Sequence, residues 1–326
     1  MGKKSDVTLR SICLSALIIR GGSKMKKNLK LLAMVLCLTL FGTMALGCGS
    51  SGSGGDKEIA SVTNPDSEKE TGETDQETFS AVTIEEQVLF EGNDFKITAT
   101  GIDDGFFGTD LKLLIENNSS QNITVQARNS NVNGFMVETM MSADVAAGKK
   151  ANDSLTFETT GLKDCGIDSI ATMEFTLHIM YSESWEDIVV TDTIVVNTSI
   201  ASTYVQKVDD SGEVLFDSNG VKIVGKGLSA DDSFWGPGVI VYIENNTDRN
   251  IIIQTRDVSV NGFMVESIMS EEVVAGKKAM GAVQFLSSDL ESNSITDITD
   301  VELYFTIVDS DSWDTIQDTD VIAISF

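Results

Sequence analysis

The residues best suited to chemistry lie near the end of the chain. Asp309-Ser310-Asp311-Ser312-Trp313-Asp314 alternates acids along a short polar run, with Asp318 and Asp320 close behind. Calcium takes six to eight oxygens from clustered carboxylates and carbonyls, so Asp309, Asp311 and Asp314 are the candidate ligands for a calcium ion. Against calcium, no glycine sits where an EF-hand loop needs one, and the earlier counterpart Tyr181-Ser182-Glu183-Ser184-Trp185-Glu186-Asp187 lacks the first acid. A solvated acidic hairpin turn is the plainer reading.

Catalytic sets are absent. One His in 326 residues, His178, argues against His-based catalysis or a His-rich metal site. No Gly-x-Ser-x-Gly elbow, Cys-x-x-Cys pair or phosphate loop occurs. Cys165 has no His near it in sequence and is expected to be an inert thiol. The charge points the same way. With 23 Lys+Arg against 50 Asp+Glu, a formal −27, the chain lacks the basic surface that nucleic-acid phosphates require.

Two loops carry aromatics instead. Asp103-Asp104-Gly105-Phe106-Phe107-Gly108 and Asp231-Asp232-Ser233-Phe234-Trp235-Gly236 set bulky rings among Gly and Asp. Phe106, Phe107, Phe234 and Trp235 are therefore the candidate binding residues, as anchors on loops at the end of a scaffold. The alternative is that they fold back and cap a core. Phe135-Met136-Val137 and Phe263-Met264-Val265 are expected in the core, and Lys149-Lys150 and Lys277-Lys278 in solvated turns.

These pieces recur in order. Ile115-Glu116-Asn117-Asn118, Asn133-Gly134-Phe135-Met136-Val137-Glu138, Ala147-Gly148-Lys149-Lys150-Ala151 and Trp185 all return after about 128 residues. Residues 86–198 and 213–326 are thus two copies of one unit, each of about 110 residues and large enough to fold alone. Residues 199–212 form a short polar linker, from which independent bodies are expected. Within a copy the apolar period is two, as in Phe95-Lys96-Ile97-Thr98-Ala99, and Asn133-Gly134 and Asn261-Gly262 are two-residue hairpin signals. The expected fold is all-β, with seven to nine short strands per copy in two tandem antiparallel β-sandwiches.

Ahead of the repeats stands an address. Met25-Lys26-Lys27 opens a basic segment, an apolar run starts at Leu31, and Gly47-Cys48 closes it, which is the layout of a secretory signal over residues 1–47 with Met25 as its expected start. Ala45-Leu46-Gly47-Cys48 resembles a bacterial lipobox, although Ala45 and Leu46 depart from the usual leucine-then-small order. The resemblance implies that Cys48 carries a lipid and becomes the mature N-terminus, placing the chain on the extracytoplasmic face of a cell membrane. Residues 48–85, opening with Gly49-Ser50-Ser51-Gly52-Ser53-Gly54-Gly55 and running on in acids, are expected to form a disordered tether. Only Cys165 then remains as a thiol in the body, so no internal disulfide is available.

The sequence of strand, Glu-Asn-Asn turn, Asn-Gly hairpin and Ala-Gly-Lys-Lys turn is similar to the immunoglobulin-like repeats of uncharacterised cell-envelope lipoproteins from clostridia-type bacteria. The resemblance covers both repeats and supplies no catalytic residues. It implies a non-enzymatic surface protein that binds an extracellular protein or wall ligand, or acts as a spacer. A calcium-dependent adhesion module is the rival reading. An enzyme or solute-binding transport subunit requires helices that this pattern lacks.

Overall fold

Alternation at period two puts every second side chain on one face of a strand, so each pleated surface here acquires an apolar side that must be covered. The computed structural model describes residues 82–229 and 236–326, and these form an all-β sandwich fold with two six-residue helices, Thr159–Asp164 and Ser287–Ser292.

In the first repeat the strands are β1 (Gln87–Gly92), β2 (Phe95–Asp104), β3 (Gly108–Asn117), β4 (Ile123–Val132), β5 (Phe135–Met136), β6 (Thr139–Met140), β7 (Ala143–Val145), β8 (Lys149–Glu158), β9 (Thr172–Tyr181), β10 (Asp187–Val190) and β11 (Ile194–Asn197). One sheet runs β1-β2-β3-β8-β6, and in the other β4 and β9 pair centrally, flanked by β5 and β7 on one side and β10 and β11 on the other. Ile97, Leu111, Leu113, Ile115, Leu155 and Phe157 from the first sheet share one core with Ile123, Val125, Met173, Phe175, Leu177 and Ile179 from the second.

The second repeat repeats this order with β12 (Glu213–Ser218), β13 (Val221–Leu228), β14 (Gly238–Asn245), β15 (Ile251–Val260), β16 (Phe263–Met264), β17 (Ser267–Ile268), β18 (Ser270–Val273), β19 (Lys278–Phe285), β20 (Asp300–Asp309), β21 (Thr315–Asp318) and β22 (Ile322–Ser325). Even the irregularities recur, since the bulge between Arg128 and Asn131 returns between Arg256 and Ser259. Strand pieces outnumber the seven to nine expected because residues 135–145 and 263–273 break into fragments of two to four residues.

The hairpins form where the sequence places them. Asn133 and Gly134 have φ of 52° and 86°, and Asn261 and Gly262 of 50° and 79°, as a turn with two left-handed residues requires. The first Asn of each Glu-Asn-Asn motif is buried. Asn117 donates to the Gln121 and Val145 carbonyls and accepts from Ser119, while Asn245 does the same with Arg249, Val273 and Thr247.

The linker is not a loose string. Gln206 donates to the Gly166 carbonyl at 2.9 Å and accepts from Asn133 at 3.0 Å, while Lys222 and Lys226 hold Asp210 and Ser211 at the far end. The repeats also touch directly. The two residues of β5 run parallel to β19 with Phe135 opposite Lys278, which joins one sheet from each repeat into a single eleven-stranded sheet. All described residues lie in one compact unit, Asp75–Phe326. Independent bodies were expected from the linker's length and polarity. Side-chain bonds at both of its ends, and a shared sheet, replace them.

Candidate functional site

The turn from β2 to β3 carries the first aromatic pair. The Gly105 amide donates to the Gly108 carbonyl at 2.7 Å, and the Phe107 carbonyl accepts from the Thr159 amide at 3.0 Å. Gly108 presses so closely on β8 that a Cβ there would stand 1.8 Å from the Phe157 carbonyl oxygen, so no other residue fits. Beneath the turn, the Asp110 carboxylate is held by Thr156 at 2.5 Å and Lys112 at 2.8 Å. The backbone is thereby fixed from below, and the rings are left to point away from the core. Phe106 is 90% exposed and Phe107 63%, their centroids 4.8 Å apart in an edge-to-face pair.

Capping of the core is therefore not their role. Two exposed phenylalanines on a braced turn form a small apolar tip among acids, a geometry suited to contact with a partner. Phe234 and Trp235, the counterparts, lie outside the described residues, as does Cys48.

The acidic turn is arranged differently. One Asp309 carboxylate oxygen accepts the Asp311 and Ser312 amides at 3.1 and 3.0 Å, and the other lies 3.7 Å from an Arg249 nitrogen. The Ser312 amide, chiefly, holds the Asp309 carboxyl below the usual carboxylate range. Asp311 and Asp314 are exposed, and Trp313 closes the turn with φ of 63°, its amide donating to the Asp309 carbonyl at 2.9 Å. The structure does not gather Asp309, Asp311 and Asp314 around one point. Among the described residues no group of three or more His, Cys, Asp or Glu side chains could hold a metal ion.

His178 is half-buried on β9, with Nδ1 3.6 Å from Asp187, and burial lowers its pKa. Cys165 is buried, its Sγ 3.7 Å from the Met136 carbonyl, and burial pushes its thiol up to about 12. Neither faces a nucleophile–base arrangement.

Sequence reading missed the seam between repeats. Phe135 is in the first repeat's core as expected, but its ring centroid also lies 6.3 Å from that of Tyr242. Tyr242 and Val224 sit on the outward face of the second repeat's sheet, yet both are fully buried in the first repeat's apolar cluster. The Lys278 amide donates to the Gly134 carbonyl at 2.9 Å, and Lys277 reaches Glu174 at 2.6 Å. Lys277 is thus a cross-repeat ion-pair partner and not a solvated turn residue. One partial signal was present: Val224 is apolar at an outward position where the first repeat has Thr98.

No protein family matches the chain in comparison, and no curated protein does. Among solved structures, the YadV chaperone aligns with 72% of this chain and 100% of its own, at 10% identity and a TM-score of 0.22, too low to carry an argument. Among the described residues no helix is long and apolar enough to cross a membrane.

Proposed function

We propose that this chain is a non-enzymatic lipoprotein, held at the extracytoplasmic face of a cell membrane by a lipid on Cys48. Its two immunoglobulin-like repeats present a recognition tip to an extracellular protein or wall ligand. The observation that carries the reading is the exposed Phe106–Phe107 pair on a turn braced by Asp110, Gly108 and Thr159. Apolar area left in water has a standing cost of roughly 25 cal/mol per Å², so a rigid turn that keeps two rings exposed gains from a partner that covers them. The acid-rich segment before residue 86 supports the reading as a tether by composition, and the −34 left after loss of residues 1–47 keeps such a body soluble.

The test has two arms in cells expressing the full chain. Cys48→Ala is expected to lose label from an alkyne-palmitate feed and to leave the membrane fraction. The double variant Phe106→Ala/Phe107→Ala is expected to stay anchored and folded while losing retention on isolated cell envelopes. Label or anchoring unchanged in the first arm contradicts the lipid assignment, and retention unchanged in the second contradicts the tip.

A further inference from the structure

The seam joins unlike halves of two like repeats. The first repeat contributes the hairpin Asn133-Gly134-Phe135-Met136 and Glu174, and the second contributes the edge of β19, Lys277 and the outward face at Tyr242. Each repeat contains both halves by sequence, so the molecule retains one copy of each that the internal seam does not use.

The unused hairpin is at the far end of the second repeat. Asn261-Gly262-Phe263-Met264 has the same four residues and the same turn, yet Phe263 is 49% and Met264 64% exposed where Phe135 is 2%. Glu302 is exposed opposite Ser259, the place Glu174 holds opposite Asn131. Beside the hairpin, Ile295 and Ile298 are only half-buried, whereas their counterparts Ile167 and Ile170 are 2% and 1% exposed.

The unused edge is on the first repeat. Among the described residues, β8 pairs beyond β3 only with Thr139 and Met140 near its end, whereas β19 also receives β5 at Lys278. Lys149 and Lys150 are exposed there, and Leu114 is only partly buried where Tyr242 is fully buried.

We infer that a second copy of this chain covers these surfaces, its second-repeat hairpin seating on the first copy's β8 edge as β5 seats on β19, with Glu302 facing Lys149. The joined surfaces differ, so the contact is heterologous, and successive copies extend head to tail instead of closing as a two-fold dimer. Asn152 replaces Met280 on the receiving face, and Thr98, the counterpart of Val224, is already buried at 5% exposure, so the contact between copies covers less apolar surface than the seam, is weaker and depends on concentration.

Sedimentation velocity of the full chain in a non-ionic detergent, over roughly a hundredfold range of concentration, tests this. The expected result is a particle mass, corrected for detergent, that rises with concentration. Lys149→Glu and Glu302→Lys alter exposed positions, so far-UV spectra should be unchanged. Each alone should associate about tenfold more weakly, and an equimolar mixture should regain association because each changed end then meets its opposite charge. Phe263→Ser should also lose it. A single-copy particle throughout overturns the inference, and so does association that neither charge variant weakens.

Discussion

The Lys277 ammonium of the second repeat lies 2.6 Å from the Glu174 carboxylate of the first, and the two side chains are only 18% and 21% exposed. Partly withdrawn from water beside the Phe135–Tyr242 contact, this pair fixes which way one repeat sits on the other. The strand pairing of Phe135 with Lys278 crosses the same boundary. The repeats therefore share apolar surface, an ion pair and backbone pairing, and ought to unfold as coupled parts.

Phe135→Ala removes a buried ring from this seam and should cost about 3–5 kcal/mol. In calorimetry the parent is expected to show one dominant transition and the variant two resolved ones. Cys165 gives an independent readout, because its buried thiol abuts Met136 and its pKa is raised by burial, with Asp164 adding to the effect. Iodoacetamide at pH 8 should label Cys165 slowly in the parent and much faster in the variant.

The repeated buried Asn predicts a second effect. Asn245 satisfies the Arg249 and Val273 carbonyls and the Thr247 amide and hydroxyl at once. Asn245→Ala leaves buried backbone groups without partners, which should cost roughly 2–4 kcal/mol and lower Tm by about 5–10 °C. Asn246→Ala, at the solvated neighbour, should change Tm little. Thermal melts of the two variants compare them directly.

Carboxylates meet across the seam and set a pH dependence. Glu271 lies against Gly281, whose absent Cβ would stand 3.1 Å from its Oε2, and burial first, then Glu138 and Glu272, raises its carboxyl from 4.5 to about 8. Burial and Glu158 raise Glu138 as well. A group protonated more readily when folded stabilises fully below its unfolded value, and loses that contribution as pH rises through its folded one. Tm should therefore fall between about pH 5 and 8. Glu271→Gln should flatten most of that fall and add on the order of 2–4 kcal/mol at pH 8. Melts across this range, parent against variant, measure it.

Much of the fold was legible in particular residues. Asn133-Gly134 and Asn261-Gly262 predict their turns because few other dipeptides tolerate two left-handed residues in succession. Alternation at Phe95-Lys96-Ile97-Thr98-Ala99 predicts β2 and its inward face, since period two has one structural meaning. The short helices escaped notice, as Thr159–Asp164 and Ser287–Ser292 are too brief for a helical period to show. The apolar stretch Ile188 to Val196 does not show its interruption either: it holds parts of two strands, β10 and β11, broken where Thr191 bonds back to Leu177. Which of the two hairpins enters the seam was unreadable for a different reason. Phe135-Met136 and Phe263-Met264 are identical in sequence, and only long-range packing decides that one pair is covered and the other exposed.

The aromatic tip was legible as a candidate, but not its exposure, because a loop's sequence does not state which way its rings turn. That exposure depends on remote groups, the Phe157 carbonyl above Gly108 and the Thr156 hydroxyl on Asp110.

Retention of the purified chain on isolated cell envelopes, parent against Phe106→Ala/Phe107→Ala with Tm recorded for both, tests the recognition tip most directly. The account predicts at least about a tenfold loss of retention with Tm unchanged within roughly 1–2 °C, since both rings lie outside the core. Equal retention, or a fall in Tm of many degrees that marks the rings as core residues, would contradict it.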